Sequence, residues 1–242
     1  MDFQKMLTEG TKDIETRGRS SDWASRSLTY LMIGDFESAF RDCKRANELA
    51  WNEYPVKIRS PEPLAWLDCL ATIEFLRGNY DETRALLMKA VAHIRKGTAT
   101  SADMAGGASE GLLLWFLGAY MKNDLDRNVA RDYLAWLAKK PKINTWPGPL
   151  ALFLLGKMSL ADALKQEFGT GNTAELERQA RRKPLIERGL QKAYFYAGVD
   201  LLERGDEAGA KSMFQKCVDV GEPTVENEYY IARHLVKPLT KK

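Results

Sequence analysis

Apolar residues recur along most of this chain at the spacing of a helix that buries one face. The clearest stretch is Ala193 to Leu235, AYFYAGVDLLERGDEAGAKSMFQKCVDVGEPTVENEYYIARHL. Here Tyr194, Ala197, Gly198, Leu201 and Leu202 fall on one side of a 3.6-residue helix. Gly205 can take positive φ at the end of that helix, and Asp206 can accept from the free N–H groups of the next one. The second helix then presents Ala210, Met213, Phe214, Cys217 and Val218 until Gly221 and Pro223 stop it. Gly198 and Ala210 are small, so the two helices can approach closely.

The same pattern stands upstream. Gly34-Asp35-Phe36 is followed by Ala39 and Ala46, and Gly78-Asn79-Tyr80 by Leu87 and Ala90, with Tyr30 and Leu70 in the helices before the turns. Another copy centred on Asn123-Asp124-Leu125 is left open, because Asn128 and Asp132 stand where small and aromatic residues belong. Phe3, Met6, Leu7 and Ile14 predict an amphipathic helix at the start, and Ser20-Ser21-Asp22 an N-cap for the helix of Trp23, Leu28, Tyr30 and Leu31.

These spacings resemble the tetratricopeptide repeat, a helix-turn-helix unit of ~34 residues. Aromatic Tyr194, small Gly198, the Gly205-Asp206 turn, Ala210 and Phe214 carry the resemblance. Gly34 and Gly78 are separated by about ten residues more than that period, and Pro55, Pro61 and Pro63 mark the insertion. The implied fold is all-α, a tetratricopeptide-like solenoid of antiparallel helix pairs in which each unit needs neighbours to bury its faces. Residues 1–242 then read as a single α-helical repeat domain. Its parts are an N-terminal helix (1–20), two repeat units (21–95), a flexible Gly/Ala/Ser/Thr-rich connection (96–111), a degenerate unit (112–140), an irregular helical segment (141–183) and a C-terminal unit with a closing helix (184–237).

The resemblance also implies a function. In such folds the first helix of each pair lines a concave face that suits a peptide or a partner protein. Transferring that frame puts Asp68, Thr72 and Phe75 on the face from one unit, and Lys192, Phe195, Val199 and Glu203 from another, unless inserted segments cover them. A second resemblance covers Trp146 to Leu235: a Trp-Pro bend, a short helix ending in LLGKMS, the YFYAG helix, RGDEAGAKSMFQKCV and a closing VENEYYIARHL. It is similar to the C-terminal part of the NlpI-type bacterial tetratricopeptide lipoproteins, which implies a non-enzymatic, often dimeric envelope adaptor. A homodimer through the N-terminal helix is one expectation. The chain departs from that family in having no cysteine before Cys43 to carry a lipid.

Composition changes this picture little. With 36 basic and 33 acidic residues the net charge is +3, too even for a nucleic-acid partner. No apolar run reaches the ~18 residues of a membrane span. MDFQKMLTEGTKDIETRG lacks the apolar core of a signal peptide, so the expected compartment is cytoplasmic, or periplasmic if a signal segment was removed. Cys43, Cys69 and Cys217 form no C-x-x-C and read as free core thiols.

Candidate chemistry is sparse. Gly107-Ala108-Ser109-Glu110-Gly111 matches G-x-S-x-G, the nucleophile elbow of serine hydrolases, but no strand is predicted before it and only His93 and His234 could serve as base. Ser109 therefore reads as a helix-start serine, with hydrolysis as the rival to partner binding. Neither a metal site, a phosphate loop nor a cofactor is expected. The segment from Trp146 to Leu164 could form a surface for lipid or a small ligand. Arg178, Arg181, Arg182 and Lys183 could grip an acidic partner or an anionic lipid surface, or end a helix in solvent. The six tryptophans are expected to fill cores between helices. Gly205 is expected to resist substitution more than Gly171.

Overall fold

A computed structural model of the chain describes residues 2–53, 65–98, 103–222 and 225–237. Pro55, Pro61, Pro63 and Pro223, expected to mark an insertion and a helix stop, lie outside the described residues. Every regular element among the described residues is helical. The chain divides into two compact units, Met1–Ala99 and Thr100–Lys242, with the division inside the connection expected at 96–111.

The first unit holds α1 (Phe3–Thr16), α2 (Ser20–Ile33), α3 (Phe36–Glu53), α4 (Leu67–Leu76) and α5 (Tyr80–Lys96). Helix α2 starts at Ser20 rather than after it. The Asp22 carboxylate accepts from the Arg19 N–H at 3.1 Å, and the Ser20 N–H and hydroxyl both reach Glu53 at the far end of α3. The antiparallel α2–α3 pair is close-packed where the Ser27 hydroxyl donates to the Ala39 carbonyl at 2.7 Å. The Arg26 guanidinium forks onto both oxygens of Asp42, at 2.7 and 3.0 Å, and reaches back to Thr11, so one side chain ties α1, α2 and α3 together. Cys43 and Cys217 are buried free thiols and Cys69 is half-buried. A hydrogen bond with Cys69, together with burial, pushes the Cys43 thiol up.

The second unit holds α6 (Ala108–Tyr120), α7 (Asp124–Leu137), a 3-10 turn (Pro141–Asn144), α8 (Gly148–Leu154), α9 (Leu160–Phe168), α10 (Thr173–Ala180), α11 (Pro184–Glu203), α12 (Glu207–Asp219) and α13 (Asn227–Val236). Helix α11 is its axis: α6, α8, α9, α10, α12 and α13 all pack on it. Its residues are accordingly buried without a break from Ala193 to Val199. A helix apolar on every side belongs in the middle of a bundle.

Five helix pairs share one kind of turn, including α8 and α9, where Gly156 has φ +68° and the Lys157 N–H donates to Leu152 at 2.9 Å. At Gly34, Gly78 and Gly205 φ is +85°, +83° and +81°. In each, the residue after the glycine donates five residues back: Asp35 to Tyr30, Asn79 to Glu74 and Asp206 to Leu201, at 3.0, 2.9 and 2.9 Å. This is the left-handed helix termination that glycine makes without strain. The copy left open at Asn123 is the fifth. There Lys122, not a glycine, takes φ +53°, the Asn123 N–H donates to Gly118, and the Asn123 side chain caps α7. Ala130, Tyr133 and Leu134 fill the positions for which Asn128 and Asp132 were unsuited, and Gly111 lets Tyr133 close in.

Of the tryptophans only Trp115 is fully buried; Trp66 is 38% exposed and the other four are half-buried, so they fill the cores less completely than expected. In the expected flexible connection, the described residues from Asp103 onward are tied down, with Ala105 and Ala108 buried. Among the described residues no helix is long and apolar enough to cross a membrane.

Candidate functional site

The residues expected on an open face stand mostly inside the two units. In the first, Thr72 and Phe75 are each 1% exposed; the Thr72 hydroxyl donates to the Asp68 carbonyl at 2.9 Å, and Phe75 packs on Tyr80 with ring centres 5.3 Å apart. Asp68, in the first turn of α4, remains half-exposed. In the second, Phe195 and Val199 have no exposed surface. The Phe195 ring is enclosed by Phe116, Tyr196 and Phe214, at 5.0, 5.1 and 5.3 Å. The face of α11 that the frame left for a partner is covered by α6. Glu203 lies at the rim of that contact, accepting from the Trp115 indole N–H at 2.8 Å and from Arg131 at 3.0 Å.

Lys192 faces α13 and heads a buried charge network. Its ammonium is 2.8 Å from Glu226 and 3.2 Å from both oxygens of Glu228. Arg188 meets Glu226 from the next turn of α11 at 2.5 Å, and the Tyr196 hydroxyl donates to Glu228 at 2.8 Å. Burial alone disfavours the ammonium, but Glu228 and Glu226 outweigh it and hold the Lys192 pKa above its ordinary value. Burial likewise opposes ionisation of Glu226, and the cations of Lys192 and Arg188 reverse that and hold its pKa low. Burial, then Glu228, pushes the Tyr196 phenol well up. A lysine kept charged is neither a nucleophile nor a base at neutral pH. The network does structural work: it clamps the closing helix α13 onto α11. Frame-based reasoning missed Arg188, Tyr196, Glu226 and Glu228. The signal was a lysine inside the apolar run GLQKAYFYAG, matched by two glutamates beside the apolar YYIA.

The G-x-S-x-G segment is built for packing. Ser109 is the second residue of α6, preceded by turns rather than a strand. The Asp103 carboxylate accepts from the Gly107 and Ser109 N–H groups, each at 2.7 Å, capping the helix. Gly107 has φ +108°, and its carbonyl takes the buried Tyr133 hydroxyl at 3.0 Å. His93 is in the other unit, its Nδ1 beside the Thr98 hydroxyl at 2.9 Å, and His234 is on α13. Among the described residues no group of three or more His, Cys, Asp or Glu side chains is placed to hold a metal ion.

The basic run is an exposed charged feature of the second unit. Arg178, Arg181, Arg182 and Lys183 are all exposed and, with Glu175 and Gln179, line a recess at the junction of α10 and α11. No family model matches the chain, and comparison with curated proteins and with solved structures finds no match either.

Proposed function

We propose that the chain is a non-enzymatic adaptor, a tetratricopeptide-like stack of helix pairs that holds a protein or peptide partner. The observation that carries this reading is the recurrence of a helix-turn-helix unit with the same backbone turn at Gly34, Gly78, Lys122 and Gly205, a turn that Gly156 also makes between the short helices α8 and α9. Repeated units of this kind generate extended surface rather than a closed reaction chamber. The charged groups support it as well. Lys192, Glu226, Glu228, Arg188 and Glu203 are spent on holding helices together. The resemblance of residues 146–235 to adaptor lipoproteins points the same way.

The partner's footprint differs from the one the repeat frame implied. Phe195, Val199, Thr72 and Phe75 have no surface to offer while the units stay folded; Asp68 and the outer side chains of the pairs do. The test is cross-linking capture of the tagged full chain in its native cell, with quantification of what is held. A partner recovered in amounts comparable to the bait supports the reading. Recovery of the chain alone, at cellular concentration and with efficient cross-linking, would overturn it.

A further inference from the structure

Several arginines among the described residues have an acid. Arg26 is paired with Asp42, Arg77 with Glu37 and Glu74, Arg131 with Glu203, Arg188 with Glu226 and Arg204 with Asp200. Arg178, Arg181 and Arg182 have no ion pair among the described residues, and Lys183 donates only to the neutral Gln179 side chain, at 3.0 Å.

Acids are within reach in the sequence, but each is engaged elsewhere. Glu175 accepts from Gln179 and Thr170, at 3.1 and 3.3 Å. Glu177 takes the Tyr194 hydroxyl, and Glu187 takes the Glu222 N–H at 2.8 Å. The cluster also ends at Lys183, the N-cap of α11, which makes no side-chain cap. Lys183 faces the positive end of the α11 dipole, whereas Arg178 and Arg181 stand at the last turn and C-cap of α10, where the dipole favours cations; the like charges still repel one another. An anion from outside relieves that repulsion.

The geometry points to an acidic, extended segment of the protein partner as that anion, an inference that rests on the adaptor reading above. Guanidinium forks match carboxylates two at a time. The four cations border one recess together with Glu175, so they address something that enters a concave surface. A flat bilayer matches a concave recess less well than an extended chain does. Leu185, 73% exposed just beyond the cluster, adds an apolar contact beside the charges. An extended chain suits this mix, since alternate side chains point to opposite sides.

The experiment is fluorescence anisotropy on the full chain with three labelled probes: a short peptide alternating glutamate with leucine, the same peptide with glutamine for glutamate, and the same with lysine. The wild type should bind the glutamate peptide in preference to both others, and less tightly as salt is raised. Arg181→Glu/Arg182→Glu should lose roughly tenfold or more in affinity with unchanged helicity, while Arg181→Lys/Arg182→Lys should retain part of it. Equal binding of the glutamate and glutamine peptides, or no loss on charge reversal, overturns the proposal. So does co-sedimentation with phosphatidylcholine vesicles containing phosphatidylserine when no peptide binds, for then the surface is a membrane contact. Cross-linking capture separates the two levels. A partner held equally by the wild type and the charge-reversed chain removes this site and leaves the adaptor reading intact, whereas a wild type that holds nothing removes the adaptor reading itself.

Discussion

The Lys192 ammonium sits between the carboxylates of Glu226 and Glu228 with its side chain only 12% exposed. Removing one partner of a buried pair leaves uncompensated charge, which costs more than the pair contributes. Lys192→Met should therefore destabilise the chain by about 3 kcal/mol or more in urea unfolding. Lys192→Met/Glu228→Gln should recover part of that loss, with a coupling of about 1 kcal/mol or more. Strict additivity of the two substitutions would mean that the clamp on α13 is not electrostatic.

Acid should loosen the same helix. Glu226 has its pKa lowered from the ordinary 4.5 because Lys192 and Arg188 outweigh its burial. A carboxylate held low in the fold binds protons more readily once unfolded, so its contribution is complete above 4.5 and lost as pH falls through the folded value. His234 acts in the same direction at higher pH: burial, with Lys237 nearby, lowers its pKa from 6.5. The stability that comes from keeping it neutral is present above 6.5 and declines below it. Stability measured against pH should thus fall in two stages, Glu226→Gln flattening the lower one and His234→Gln the upper. An unchanged profile in either variant would contradict the assignment for that group.

Glycines divide by the reason they are there. At Gly198 a Cβ would lie 2.6 Å from the Phe214 ring and 3.1 Å from the Ala210 carbonyl, so Gly198→Ala should cost about 1–3 kcal/mol by overpacking. Trimming the ring in Gly198→Ala/Phe214→Leu should relieve the clash. Gly205 meets no such atoms, yet its φ of +81° makes a β-branched residue strained, and Gly205→Val should cost roughly 1–2 kcal/mol. Gly171 is not the tolerant control the sequence implied, because a Cβ there would come within 2.5 Å of the Ala161 carbonyl. Thermal melts of Gly205→Val and Gly171→Ala should both fall below the wild type.

Asp103 and Ser109 should separate a cap from a nucleophile. With the Asp103 carboxylate on two N–H groups of the α6 start, Asp103→Ala should cost about 1 kcal/mol, whereas Ser109→Ala keeps its backbone donor and should be nearly neutral. A fluorophosphonate probe should leave Ser109 unlabelled. Labelling that disappears in Ser109→Ala would revive the hydrolase alternative.

How much of the site was legible follows from which interactions are local. Gly34, Gly78 and Gly205 announce their turns because a positive φ at a helix end is a demand on one residue, and that demand shows in the sequence. Lys122 meets the same demand without a glycine, so that pair stayed ambiguous until its backbone was seen. The unpaired state of Arg178, Arg181 and Arg182 was illegible for a different reason. A run of cations reads the same whether or not nearby acids answer it, and the engagement of Glu177 with Tyr194 and of Glu187 with Glu222 is made by tertiary packing.

By itself the sequence determined the helical class, the positions of three turns, the pairing of neighbouring helices and the small residues at their crossings. These rest on 3.6-residue periodicity and on the φ requirements of single residues, which act over a few positions. Only the tertiary structure decided which helix faces stay open. α11 was expected to offer one side to a partner and instead runs through the middle of its unit, with α6 over Phe195 and α13 over Lys192. Both covering helices are distant in the chain, and an apolar stripe reports that a face is buried without reporting by what. Burial against a second helix, a third or a partner removes the same surface from water and leaves the same pattern in the residues.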